Sequence, residues 1–189
     1  MKTKTYSGKS NTHHKKLWNN LFYSLKTKLT EYSQTNGEEK VIFLDVDGVL
    51  NYDCSTEDLD DFCLAELKKI VLETKAKLVL TSSWKFYFLR DDDNATKRYM
   101  TERLAEYNLA LYDIAPDLGS GRRADEIKLW LKEHPSFGSY VILDDCFFPG
   151  FKEMKRHLCL TDWNRNGLTA EHSKKAIRIL NGIYLSSRI

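Results

Sequence analysis

Two aspartates stand at alternate positions directly after a run of four apolar residues. The run covers residues 41–44, and the acids are Asp45 and Asp47, followed at once by Gly48. Side chains two apart on an extended chain share a face, so both carboxylates can reach one crevice. Adjacent negative charges in a partly dry site need a cation or shared protons, and Mg²⁺ with oxygen ligands meets that need. The alternative is a simple turn or cap, as Asp-Gly pairs often form.

A second pair of carboxylates, Asp144 and Asp145, follows another apolar run at residues 139–143. Two buried strands that each deliver acids to one sheet edge are hard to explain by stability, because clustered like charges destabilise a fold. Together with Asp45 and Asp47 they predict a metal site. Whether Asp144 or Asp145 is the direct ligand stays open.

Hydroxyl groups follow the strand predicted at residues 77–80, where the chain reads Thr81, Ser82, Ser83, and then Trp84 and Lys85. Hydroxyls at the end of a parallel strand can donate to a phosphoryl oxygen without adding charge, and a helix starting nearby adds its dipole. The alternative is an ordinary helix cap by Ser82 or Ser83.

Two arginines, Arg122 and Arg123, precede an amphipathic segment at residues 124–133. A cation in the first turn of a helix opposes the helix dipole, which suggests another task such as contact with a phosphate. The alternative, an exposed loop position, suits Arg122 better than Arg123.

The order of apolar runs and amphipathic segments predicts a doubly wound, mostly parallel α/β sheet of five strands. The predicted strands cover residues 41–44, 77–80, 109–112, 139–145 and 157–160. Helical spacing predicts helices at about 57–74, 94–107, 124–133 and from 169 onward. A capping box from Ser55 to Asp58 is expected to begin the first of these helices.

The first 36 residues differ in composition from the rest of the chain. They carry a net charge of +6 within a total of +2, which leaves −4 for residues 37–189. Apolar residues recur at helical spacing from about 14 to 33, which predicts an amphipathic helix in a basic arm. The arm either packs on the domain or meets a phosphate backbone or an anionic membrane surface. We therefore expect an arm at 1–36 and one domain at 37–189.

The four cysteines form no C-x-x-C pair, and three of them, Cys63, Cys146 and Cys159, lie in apolar or near-apolar stretches. Such residues are expected to behave as small buried hydrophobes in a reducing, cytoplasmic compartment. The sequence contains no apolar run near the length of a membrane span and no secretory signal pattern. The number of subunits stays open.

The series Asp-Val-Asp-Gly-Val, Thr-Ser, a basic residue before a helix, and Asp-Asp resembles the haloacid dehalogenase-like (HAD) phosphohydrolase superfamily over roughly residues 40–165. The resemblance implies a Rossmann-like core in which Asp45 attacks phosphorus and Asp47 acts as acid and base. Mg²⁺, Thr81 or Ser82, and Arg123 or Arg122 would balance the phosphoryl charge. It also implies metal ligation by Asp45, the Asp47 backbone carbonyl and Asp144, with Asp145 as a ligand or support.

Within the superfamily, the motifs L-D-V-D-G-V-L-N, L-T-S-S-W and V-I-L-D-D resemble the HAD domains of RNA-repair multidomain proteins. Lys85 stands where that group leads us to expect arginine, and with Ser83 and Arg122 it is a candidate substrate contact. The gaps between motifs are too short for a large cap domain, which implies an open site. The resemblance therefore implies a Mg²⁺-dependent phosphatase, with polynucleotide ends among its candidate substrates.

Other functions compete with this one. A small-molecule or nucleotide phosphatase would use the same residues, and a non-catalytic nucleic-acid-binding module would use the basic arm. A response-regulator receiver also has clustered acids on a doubly wound sheet, but its adjacent acids come on the first strand. Here D-x-D comes first and Asp-Asp comes late, which disfavours the receiver.

Overall fold

The computed structural model describes residues 39–52, 58–90 and 94–183. The predicted N-terminal arm and its amphipathic helix lie outside these residues, as does Ser55. No helix in the described ranges has both the length and the apolar composition to cross a bilayer.

Five strands form one sheet in which every neighbouring pair is parallel, as the sequence predicts. The strands are β1 (Glu39–Leu44), β2 (Lys77–Leu80), β3 (Leu111–Ile114), β4 (Phe137–Asp144) and β5 (Leu158–Leu160). Their spatial order is β3-β2-β1-β4-β5. The order reverses between β1 and β4, and in open α/β sheets the crevice at such a reversal is where ligands bind.

The helices are α1 (Asp61–Thr74), α2 (Lys85–Leu89), α3 (Ala95–Glu106), α4 (Arg123–Glu133) and α5 (Ala170–Leu180), with a 3₁₀ turn at Lys155–His157. Residues of β1 alternate between two cores: Ile42 and Leu44 pack with residues of α1, α3 and α5, and Val41 and Phe43 pack with residues of α4. Helices therefore cover both faces of the sheet. A strand buried on both faces explains the unbroken apolar runs.

The connection from β1 to β2 holds one described helix, and the connection from β2 to β3 holds two. The described residues thus contain no large cap domain, and the short helix α2 directly follows the hydroxyl-rich end of β2. Five residues make too short a helix to provide the dipole expected there, since the macrodipole is a sum over aligned peptide units.

Several predicted boundaries are wrong. Strands β1 and β4 each begin two residues earlier than predicted, and two further differences have a visible cause. Helix α1 begins at Asp61 rather than near 57, because the Asp60 side chain accepts from the Cys63 backbone N–H and caps it. Strand β3 begins two residues later than predicted, since Leu109 N–H still bonds the Leu104 carbonyl at the end of α3.

Candidate active site

The carboxyl ends of the central strands are held in register beyond the strands themselves. Asp45 N–H donates to the Leu143 carbonyl at 2.9 Å, and Thr81 N–H donates to the Leu44 carbonyl at 2.9 Å. These bonds place Asp45 between Thr81 and the end of β4, where Asp144 is the last residue. Residues far apart in sequence therefore meet at one edge of the sheet.

Arg123, the first residue of α4, lies between two of these carboxylates. Its Nη1 atom is 2.8 Å from Asp45 Oδ2 and 2.7 Å from Asp144 Oδ2. Its guanidinium also lies over the Phe148 ring, 4.6 Å from the centroid. All three charged side chains are largely buried, so one cation is shared by two clustered negative charges.

Burial changes the titration of these groups. It raises the pKa of Asp45, against the opposing charge of Arg123. Burial and the negative charge of Asp45 raise the pKa of Asp144 to about 7, although Arg123 again opposes the change. Burial alone would lower the pKa of Arg123, but the two carboxylates raise it above its ordinary value. Near neutral pH the acids of this cluster therefore compete for protons or for a further cation.

Asp47 is held by two side chains that sequence reasoning does not identify as site residues. Trp84 Nε1–H lies 3.2 and 3.1 Å from the two carboxylate oxygens, and Asn51 Nδ2 donates to Oδ1 at 3.0 Å. A tryptophan 37 positions away gives no periodic signal, although it directly follows the predicted hydroxyl series. The carboxylate of Asp47 therefore has a fixed orientation.

Gly48 allows Asp145 to approach the loop after β1. The glycine has φ +71°, and a Cβ at this position would lie 2.5 Å from Asp145 Cγ. Asn51 Oδ1 accepts from Gly48 N–H at 3.1 Å, and the Thr161 hydroxyl donates to the Gly48 carbonyl at 2.8 Å. Only glycine fits this turn, and two buried polar side chains hold its backbone. Thr161 is a further positioning residue that the motifs do not reveal.

The three hydroxyl residues have different surroundings. Thr81 is 1 % exposed, and no described residue provides a hydrogen-bond partner for its Oγ1 atom. Ser82 is also buried, but it hydrogen-bonds the Asp45 side chain and its Oγ accepts from Trp84 N–H at 3.3 Å. Ser83 is exposed. Of the two buried hydroxyls, that of Thr81 is therefore the one without a hydrogen-bond partner among the described residues.

The two remaining cations that the sequence suggested as substrate contacts are engaged with the protein. Lys85 is 4 % exposed, and its Nζ atom lies 2.7 Å from Glu126 Oε1 and 3.3 Å from the Pro116 carbonyl. Arg122 is more than half exposed and donates from Nε to Asp125 at 3.2 Å. Their positions separate Arg123, which contacts the carboxylates, from Arg122, which faces outward.

Two cavities open beside the carboxylates. One of about 260 Å³ is lined by Thr81, Arg123 and Phe148 among others. The other, of about 340 Å³, is lined by Asp47, Ser83, Trp84, Phe86 and Tyr87. Ser83 and Phe86 line both. The space for a ligand thus extends from Thr81 and Arg123 to Asp47.

The donor set suits a hard divalent cation. Side-chain oxygens of Asp144 and Asp145 lie within 4.8 Å of each other and of the Cys146 sulfur, and Asp45 shares Arg123 with Asp144. Carboxylate oxygens are ligands that Mg²⁺ prefers, whereas a thiol is not.

Cys63 and Cys159 are buried as expected, but Cys146 is exposed, contrary to the prediction, because it follows β4 at the open edge.

Comparison with known proteins is consistent with this geometry. No curated protein and no solved structure gives a significant match. The sequence model of one family, described as the HAD domain in Swiss Army Knife RNA repair proteins, matches residues 41–173. That stretch contains both acid pairs, the hydroxyl series and Arg123. The chain therefore belongs to the family of HAD domains in Swiss Army Knife RNA repair proteins.

Proposed function

We propose that this protein is a Mg²⁺-dependent phosphatase that hydrolyses phosphomonoesters at polynucleotide ends through an aspartyl-phosphate intermediate. The observation that carries the proposal is the convergence of Asp45, Asp144 and Arg123 beside the unpartnered, buried hydroxyl of Thr81. A nucleophile, balancing charge and a neutral donor are the parts that phosphoryl transfer requires.

In the first step an Asp45 carboxylate oxygen forms a bond to phosphorus as the bond between phosphorus and the ester oxygen breaks. The leaving oxygen takes the electron pair of that bond and receives a proton from Asp47. Trp84 and Asn51 hold Asp47 in one orientation, which favours proton transfer along a defined direction. The products are the free alcohol and phosphorylated Asp45.

In the second step Asp47 takes a proton from water while the water oxygen bonds to phosphorus. The bond between phosphorus and the Asp45 oxygen breaks, which releases inorganic phosphate and restores the Asp45 carboxylate. The same Asp47 side chain serves as acid and then as base, so each cycle leaves its protonation unchanged.

The non-bridging phosphoryl oxygens need positive charge and hydrogen-bond donors. Arg123 provides a guanidinium at the nucleophile, and Thr81 provides a free hydroxyl without a further charge. Asp45, Asp144 and Asp145 would hold Mg²⁺, with the Asp47 backbone carbonyl as the fourth protein ligand that the resemblance implies. When bound, the ion supplies additional positive charge to the transferred phosphoryl group.

A polynucleotide end as substrate is supported by three features. The described residues place no large cap over the site, the family is that of RNA repair proteins, and the arm at residues 1–36 carries a charge of +6. We propose that the arm binds the phosphate backbone.

The cysteines Cys63, Cys146 and Cys159 are free, which supports a reducing compartment such as the cytoplasm.

Turnover of a 3′-phosphorylated oligonucleotide with Mg²⁺ tests the chemistry. We expect Asp45→Asn to abolish phosphate release while the protein stays folded, because the change removes the nucleophile and one of the clustered charges. Asp125→Asn, an exposed acid of α4, is the matched control and should retain activity. EDTA should stop the parent reaction and Mg²⁺ should restore it. Parental activity of Asp45→Asn would contradict the covalent mechanism.

The choice of substrate is tested separately. We expect the oligonucleotide to have a higher kcat/KM than a 3′-mononucleotide. Replacing the seven lysines of residues 1–36 with glutamine in the full chain should reduce this advantage and its salt dependence together, because backbone phosphates bind cations with release of counterions. Equal efficiency on both substrates would indicate a small-molecule phosphatase instead.

A further inference from the structure

The position of Asp47 defines where the leaving group lies, given the function proposed above. A general acid must be within hydrogen-bond reach of the oxygen that it protonates. The alcohol part of the substrate must therefore occupy the side of the site that Asp47 faces, while the non-bridging oxygens face Thr81 and Arg123. For a polynucleotide end, this alcohol belongs to the terminal nucleoside.

The cavity on the Asp47 side has aromatic walls. It measures about 340 Å³ and is lined by Asp47, Ser83, Trp84, Phe86 and Tyr87. Phe86 is 49 % exposed and Tyr87 is 36 % exposed, whereas Trp84 is buried with its N–H directed to Asp47. Other large apolar side chains of the described residues are also exposed, so exposure alone is not informative. The location of this pair beside the general acid is what requires explanation.

The short helix that carries the two rings is rigidly attached. Lys85, its first residue, is buried and bonded to Glu126 of α4 at 2.7 Å. Tyr87 meets Trp84 edge to face with 6.4 Å between the ring centroids. Phe86 and Tyr87 therefore need little ordering when a ligand arrives, which lowers the entropic cost of binding.

Charge does not account for recognition on this side of the site. No lysine or arginine is among the described residues that line the cavity beside Asp47. Aromatic rings bind the flat face of any nucleobase without sequence preference. We propose that Phe86 and Tyr87 form a stacking subsite for the base of the terminal nucleoside, so that the enzyme recognises the base next to the phosphate as well as the phosphate itself.

Paired substrates and variants test the subsite. One oligonucleotide carries a base at the 3′-phosphorylated terminal nucleotide, and the other is abasic at that nucleotide. We expect the parent to prefer the first by about tenfold in kcat/KM, and Phe86→Ala to remove most of this preference by lowering kcat/KM far more for the base-bearing substrate than for the abasic one. Phe86→Trp should restore it. Leu89→Ala, which removes a 54 % exposed apolar side chain of α2 that lines neither cavity, is the control.

Binding to Asp45→Asn provides a readout that does not depend on turnover. In that background Phe86→Ala should raise the Kd of the base-bearing oligonucleotide about tenfold and change the Kd of the abasic one far less. Equal Kd and kcat/KM values for the two oligonucleotides, or better hydrolysis of a phosphotyrosyl peptide than of either, would overturn the subsite while leaving a phosphatase. If the parent protein showed no turnover but still bound the base-bearing oligonucleotide more tightly than the abasic one, the proposed function would be overturned and the subsite would remain.

Discussion

At the scale of single residues, the orientation of Asp47 depends on two neighbouring side chains. Trp84 Nε1–H contacts both carboxylate oxygens, and Asn51 bridges Asp47 and the Gly48 backbone. A proton donor that can rotate freely loses part of the advantage of being bound nearby. In the proposed mechanism, Trp84 is therefore a positioning residue for the acid step.

Trp84→Phe should lower kcat about tenfold with little change in KM, because it removes the N–H to Asp47 and keeps most of the aromatic volume. The loss should be larger for an alkyl phosphate than for an aryl phosphate, whose leaving oxygen needs less protonation. Steady-state kinetics on both substrates measure this difference.

Trp130→Phe is the matched control for this change. It also removes an indole N–H from a carboxylate, Asp113 at 2.6 Å, but in the core beneath α4. Its kcat should stay at the parental value. An equal loss for alkyl and aryl phosphates in Trp84→Phe would refute the positioning role.

Sequence reasoning located the residues whose charge is unusual for their position. Asp45, Asp144 and Arg123 violate local expectations, and such violations mark functional sites. Asn51 and Thr161 act through hydrogen bonds to the Gly48 backbone, and neither violates a local rule. Contacts of this kind depend on the folded geometry, so only the structure reveals them.

At the scale of elements, one buried ion pair joins two segments of the site. Lys85 of α2 and Glu126 of α4 are each about 5 % exposed and 2.7 Å apart, and Glu126 also accepts from Leu118 N–H at 3.0 Å. The pair therefore links the helix with Phe86 and Tyr87 to the helix that carries Arg123.

Lys85→Met should destabilise the protein by about 3–5 kcal/mol, because it leaves the Glu126 carboxylate buried without its cation. The double variant Lys85→Met/Glu126→Gln should recover much of this loss, since the amide oxygen can still accept from Leu118 N–H. Urea unfolding measures both values.

Lys128→Met provides the comparison, because it breaks an exposed ion pair between Lys128 of α4 and Glu153. It should lower the free energy of unfolding by only about 0–1 kcal/mol. A similarly small cost for Lys85→Met would show that the buried pair does not hold the two segments together.

The strands were easier to predict than the short helix. Apolar runs buried on both faces are a strong signal, and β2 was predicted at its observed bounds. Helix α2 has five residues and exposes Phe86 and Leu89, so it lacks a helical apolar stripe that the sequence could reveal. The Asp60 cap of α1 was missed because the Ser55 to Asp58 pattern competes with it in the same stretch.

At the scale of the whole molecule, stability should depend on the protonation of partly buried histidines. Burial lowers the pKa of His157, whose ring stacks on Tyr140 at 3.9 Å, and burial also lowers the pKa of His172. His172 Nδ1 accepts from the Thr169 N–H in the capping box of α5, so its neutral form supports the helix start.

A histidine with a lowered pKa in the folded state stabilises the fold fully above its unfolded pKa of about 6.5. This contribution to stability is lost as the pH falls from the unfolded pKa through the pKa of the histidine in the folded state. The urea midpoint of the parent minus that of His157→Gln should therefore shrink between about pH 7.5 and pH 5.5.

Taking this difference cancels the raised pKa of Asp144, which acts in the opposite direction in both proteins. His172→Gln should show the same trend in the urea midpoint, because the neutral His172 ring accepts from the Thr169 N–H at the start of α5. If the difference in urea midpoint between parent and variant stayed constant from about pH 7.5 to pH 5.5, the lowered pKa of that histidine would be contradicted.

The two outer strands of the described sheet are short, with four residues in β3 and three in β5. A long, flat outer strand leaves a row of unpaired backbone groups on which another chain can add a strand and begin aggregation. Strands this brief provide too few such groups for a stable added strand. A neighbouring domain or a second copy would therefore have to associate with this domain through side-chain surfaces, and the central strands that end at Asp45 and Asp144 stay enclosed within the sheet.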